Sequence, residues 1–177
     1  VLDLWDIEGG DVIYIDTGNY TITNSIVFDI LDGGVPESNL PVRVVGSTNV
    51  MGSSVACSGL STGIVCYRAP GIAWRDLRVS GGGAAVGFNV LQSQQCQFDW
   101  VKVVGASVGF SVGESEGVRF AHCVAEHGAA AGIRIGSSES VVWENGVLWS
   151  NRYGVDLNSG SLTLQSSVIG AFGSNSY

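Results

Sequence analysis

From Gly63 onward, apolar and polar residues alternate in short bursts that return at one period. GIVCYRA begins at Gly63, GFNVLQS at Gly87, GFSVGES at Gly109, GIRIGSS at Gly132 and GVDLNSG at Gly154, with opening glycines 24, 22, 23 and 22 residues apart. A second series, Trp74, Phe98, Phe120 and Trp143, runs in step at spacings of 24, 22 and 23. Two series sharing one period predict a repeat architecture. Successive side chains of a strand face opposite ways. The pairs Ile64/Cys66, Phe88/Val90, Phe110/Val112, Ile133/Ile135 and Val155/Leu157 are therefore expected on one interior wall, with the large aromatics stacked on another as core.

Each unit divides into three short strands. In the clearest copy, Val141 to Glu144 is one strand, Asn145 a one-residue corner and Gly146 to Trp149 the second. Ser150 to Tyr153 is a turn and Gly154 to Asn158 the third strand. No helical period lies between strands this short, which excludes β-α-β crossovers. What remains is a coiling chain whose strands pair in parallel, one turn on the next. Each coil would advance about 4.8 Å, so about seven coils of 22–24 residues make a rod on the order of 30–35 Å long. The corner series Asp76, Trp100, His122 and Asn145 ends on a residue that tolerates left-handed backbone, so His122 reads as a turn residue.

Upstream, residues 9–31 read as short β-branched strands broken by Gly, Asn and Asp turns. Residues 32–41 hold two of the three prolines and read as a loop; Val42 to Val45 reads as a strand, and Met51 to Thr62 as a Gly/Ser-rich excursion. The expected organisation is a single domain over 1–177, irregular over 1–62 and regular over 63–177.

The opening GGDVIYIDTGNYTI and the copy ESVVWENGVLWSNRYGVDLNSG carry a resemblance. The chain resembles the right-handed parallel β-helix, or pectin-lyase-like, superfamily over about residues 10–170. The resemblance implies an all-β, right-handed parallel β-helix, with Asn145 in a corner where an asparagine ladder often forms. For activity it is unspecific, because the fold hosts lyases, hydrolases, epimerases, phage tailspikes and bacterial surface proteins. Enzymes of that superfamily have more coils and a capped end. No capping helix is legible here and the chain stops at Tyr177 just after another coil starts, so the expectation is a piece of a longer protein.

Composition narrows the partners. A net charge of −8 with only eight Lys plus Arg argues against nucleic acid and against anionic membrane surfaces. No apolar run is long enough for a membrane-spanning helix. The four cysteines, Cys57, Cys66, Cys96 and Cys123, show no metal-binding spacing. Buried thiols are the expectation, with a Cys57–Cys66 disulfide left open. No nucleophile elbow or phosphate loop is present.

The resemblance implies that a substrate would lie along the outer face of one strand stack and its neighbouring loops. Arg134 and Asp156 share an outward position in adjacent coils, and Glu126, His127, Asn151, Arg152 and Tyr153 lie in the turns before them. Functionally this set predicts sugar recognition: Asp156, Asn158, Glu126, Asn151 and Tyr153 would contact a polysaccharide. In a lyase, Arg134, His127 or Arg152 would take the proton alpha to a uronate carboxyl. The alternative is a surface ion pair between Arg134 and Asp156. Calcium would be a cofactor only if the protein were a lyase, and Asp156 has no second stacked carboxylate to share it. Arg75, Asp99, Arg119 and Glu144 are expected as a self-compensating row, and Arg78 with Lys102 as stacked like charges sharing a face with Trp149. The leading expectation is a carbohydrate-associated module of a secreted or cell-surface protein, with no cofactor. The alternatives are a polysaccharide lyase and a structural rod in an adhesin or tailspike-like assembly. Oligomeric state is not legible.

Overall fold

The computed structural model describes residues 10–29, 41–48 and 52–170. Most of the loop expected over 32–41 and the segment after Gly170 lie outside the described residues. Every described element is a strand, in chain order β1 (Val12–Tyr14), β2 (Gly18–Thr21), β3 (Ile26–Asp29), β4 (Arg43–Val45), β5 (Ser53–Ala56) and β6 (Thr62–Tyr67). Then follow β7 (Ala73–Ser80), β8 (Val86–Leu91), β9 (Gln97–Val104), β10 (Val108–Gly113), β11 (Arg119–Ala121) and β12 (Val124–Glu126). The last are β13 (Ala131–Gly136), β14 (Ser138–Glu144), β15 (Val147–Trp149), β16 (Tyr153–Leu157), β17 (Gly160–Gln165) and β18 (Val168–Gly170).

All pairings are parallel and form three stacks, so the chain is a right-handed parallel β-helix. The first stack runs β1-β4-β7-β9-β11-β14-β17; the third runs β16-β13-β10-β8-β6-β3. The second stack, β2, β5, the distal halves of β7 and β9, β12, β15 and β18, joins the first through the two long strands. The described residues complete six coils and begin a further one, slightly fewer than the seven expected.

The corner between the first two stacks is one residue wide because that residue takes a left-handed backbone. Asp76, Trp100, His122 and Asn145 have φ of 56°, 55°, 53° and 49°. A single left-handed residue turns the strand without a loop, and its side chain is left outside. The corner column holds one asparagine and so forms no asparagine ladder.

The interior is continuous. Ile64, Cys66, Phe88, Val90, Phe110, Val112, Ile133 and Ile135 are buried as the alternation requires. In the sixth coil Val155 is only partly covered and Leu157 is exposed, because β16 is the last described strand of its stack. The aromatic series stands in register on the first stack, as expected. Phe28, Phe88 and Phe110 from the third stack interleave with Trp74, Phe98, Phe120 and Trp143 from the first. Centroid separations are 5.1 Å for Phe28–Trp74 and Trp74–Phe88, 5.4 Å for Phe88–Phe98 and 5.1 Å for Phe110–Phe120. Mixed edge-on and stacked contacts suit the ring quadrupoles and add about 0.5–1.5 kcal/mol per pair to simple burial.

Two expectations need correction. Residues 51–62 are not an excursion: β5 lies within them, and its Ser53 and Ser54 are buried. Ser53 can be inside because its hydroxyl accepts from Ser47 N at 2.8 Å and reaches Ile15 O at 2.7 Å. Secondly, the row containing Arg75 and Asp99 continues to Ala121 and Glu144, with Arg119 two residues earlier in the row of Gln97. Arg119 still meets Glu144, by crossing diagonally between coils.

The four cysteines are free and buried. A Cys57–Cys66 bridge is not formed. Burial pushes the thiols of Cys96 and Cys123 up to about 12, and desolvation moves that of Cys66 in the same direction.

Candidate functional site

The expected face divides into two parts. On the third stack, Arg134 pairs with Asp156 in register, and Arg134 Nε donates to Asp156 Oδ2 at 2.8 Å. Both side chains are partly exposed, so the pair is screened and contributes about 0–1 kcal/mol. The remaining residues belong to the preceding corner. Glu126 is the last residue of β12 rather than a turn residue, and it forms an ion pair with Lys102, Nζ to Oε1 2.6 Å. His127 is an exposed left-handed corner residue with φ of 59°. Arg152 lies over the exposed Tyr153 ring, 5.4 Å from its centroid, and Asn158 follows β16 on the surface.

Asn151 is buried, and its amide is committed to backbone. Oδ1 accepts from Gly128 N at 2.8 Å and Nδ2 donates to Ala125 O at 2.9 Å. It ties two corners together and has no face toward a ligand. The set thus gives a paired Arg134 and Asp156 on one wall and an Arg152–Tyr153 platform at its edge.

A better-formed concavity lies at the other corner. Asp76, Arg78, Trp100, Lys102, His122 and Val124 line a cleft of about 270 Å³ where the first stack meets the second. The left-handed corner is what places Trp100 and His122 outside. Their rings stack at 4.6 Å with an interplanar angle of 7°, and Trp100 remains 55% exposed. His122 Nδ1 is 3.0 Å from Asp99 Oδ1, which fixes the imidazole against the indole. Arg75 Nε stands 3.2 Å from Asp76 Oδ2, without hydrogen-bond alignment, and 3.8 Å from Asp99 Oδ2. Arg78 and Lys102 are adjacent in one outward row, and Glu126 neutralises Lys102.

This arrangement is an aromatic platform beside hydrogen-bonding groups, several of which are paired with one another. Such a surface can stack the apolar face of a sugar ring and bond its hydroxyls. The sequence carried the signal in the corner series itself, since a one-residue corner must display its side chain; reading that series only as backbone geometry concealed Trp100. Among the described residues, no group of three or more His, Cys, Asp or Glu could hold a metal ion.

No family model and no curated protein matches the chain. Solved structures do. The catalytic domain of a GH87 alpha-1,3-glucanase variant in complex with tetrasaccharides matches with a TM-score of 0.73 at 16% identity, covering 90% of this chain and 35% of that one. A rhamnogalacturonan lyase matches with a TM-score of 0.56 at 12% identity, covering 96% and 57%. Pectate lyase Pel9A matches with a TM-score of 0.55 at 14% identity, covering 92% and 55%. The chain therefore spans about a third to somewhat over half the length of these proteins. Identities this low speak to architecture alone, and on that ground the chain has the right-handed parallel β-helix fold.

Proposed function

We propose that the chain is a polysaccharide-binding β-helix module of a secreted or cell-surface protein, and that the sugar docks in the cleft at Trp100. The observation that carries this reading is the exposed indole of Trp100, held flat by His122 at the mouth of the cleft. An aromatic ring offers a large contact area, and buried aromatic anchors dominate binding energies. Three matched structures support a sugar ligand: two glucanase structures hold tetrasaccharides or nigerose, and pectate lyase is named for its polysaccharide.

The test is binding of insoluble and soluble polysaccharides, followed by affinity electrophoresis. Trp100→Ala is expected to weaken binding about tenfold or more, the loss of one anchor. Arg134→Ala is expected to leave it unchanged. An unsaturated-uronate absorbance that grows with pectate or alginate and disappears in Arg134→Ala would overturn this reading in favour of a lyase working on the third stack.

A further inference from the structure

Beyond the cleft, the outer face of the second stack has an order of its own. One outward row runs Ser54, Arg78, Lys102, Val124, Val147 and Val168 in successive coils. Its basic end lies in the cleft; its other end is an apolar strip. A parallel row two residues on contains Glu126 and then Trp149, in register. Trp149 is 39% exposed, and the next coil places Gly170 beneath it. A Cβ at Gly170 would stand 2.1 Å from the Trp149 ring, so the absence of a side chain there lets the indole lie down against the sheet.

Two indoles thus flank the same strip. Trp100 stands at the corner two residues before Lys102, and Trp149 two residues beyond Val147, two coils further along. Two inter-strand spacings and four residues of strand separate them, a diagonal of about 16 Å in backbone terms. That exceeds a disaccharide and suits a tetrasaccharide.

Several of the charged groups along the way have partners within the protein. Lys102 is paired with Glu126, Asp99 with His122, and Arg75 lies against Asp76. The protein as a whole carries −8. An acidic glycan would meet a repulsive overall field, which a neutral chain does not.

Building on the sugar-binding reading above, we infer that the ligand is an uncharged glycan of about four residues, laid obliquely from Trp100 across Val124 and Val147 to Trp149. The test is calorimetric titration with neutral gluco- and manno-oligosaccharides of two and four units, alongside oligogalacturonate and oligoalginate of the same lengths. A neutral tetrasaccharide is expected to bind about tenfold more tightly than its disaccharide, the contribution of a second anchor. Trp149→Ala should abolish that gain and leave disaccharide affinity intact. Trp149→Phe, which keeps a ring over Gly170, should restore part of it, and an unchanged melting temperature would show that both variants fold. The inference is overturned if the length gain survives Trp149→Ala, or if the acidic oligomers bind more tightly than the neutral ones. Either result leaves the Trp100 cleft standing so long as Trp100→Ala weakens binding. Failure of every saccharide to bind would remove both.

Discussion

Ser93 and Ser115, in the turns between the third and first stacks, and Ser138, at the start of β14, sit one above another, all buried. Ala69 N donates to Ser93 Oγ at 3.0 Å, Ser93 N to Ser115 Oγ at 3.1 Å and Ser115 N to Ser138 Oγ at 3.2 Å. Each hydroxyl also donates to a carbonyl within its own coil, as Ser115 does to Gly113 O at 2.8 Å. This ladder satisfies turn amides that no strand reaches. Ser115→Ala would strand the amide of Ser93 in the interior, and the expected cost is about 1–3 kcal/mol. A matching fall in the denaturant midpoint would show it. The buried thiols make a second prediction. Cys96 and Cys123 keep their protons to about 12, whereas an unfolded chain releases them from about 8.5. Between those values the unfolded state binds fewer protons, so stability falls as pH rises from about 8.5 toward 12, by at most about 1.4 kcal/mol per pH unit and thiol. Melting curves from pH 7 to 10 should show the decline, and Cys123→Ala should flatten it. The thiols were legible from their apolar register in the repeat. The serines recur at spacings of 22 and 23, yet a polar residue at such a position reads as turn surface until its hydrogen bonds are seen.

A strand in this fold is specified by its row more than by itself. The period-two alternation of GFNVL and GFSVG was enough to place Phe88 and Phe110 inside, because slipping by one residue would turn them to water. Phe110 touches Phe88, Phe98, Phe120 and Trp143, with centroids 5.7, 6.0, 5.1 and 5.5 Å away. Phe110→Ala is expected to cost about 3–5 kcal/mol, against about 0–1 kcal/mol for Arg134→Ala on the outer side of a neighbouring strand. Chemical denaturation of the two variants would measure the contrast. Polar rows are harder to assign than apolar ones. Arg119 was misplaced by two residues because charge alternation looks equally sensible in either register, and no burial penalty distinguishes them. Glu126 was read as a turn for a related reason: a strand of three residues ends before its period can be counted.

The molecule as a whole was the most legible level, since one repeated spacing fixes a helix of stacked coils without any knowledge of individual contacts. Binding surfaces were the least legible, because they depend on which side chains a corner displays and on what lies opposite. Stability in such a stack is nearly a sum over neighbours. Amides of β8 and β10, which are hydrogen-bonded on both sides within buried rows, should exchange most slowly. Those of β17, where all but one residue is exposed, should exchange first, and hydrogen-exchange mass spectrometry would resolve the gradient. One further consequence concerns the register itself. From β6 onward each coil returns to the same three rows after 21 to 24 residues, so a duplicated unit can be inserted at a corner there without disturbing the fit of the rest. The groove is then a ruler marked in rungs: adding a coil between Trp100 and Trp149 would move the two indoles apart by a fixed step. Ligand length would become a matter of copy number.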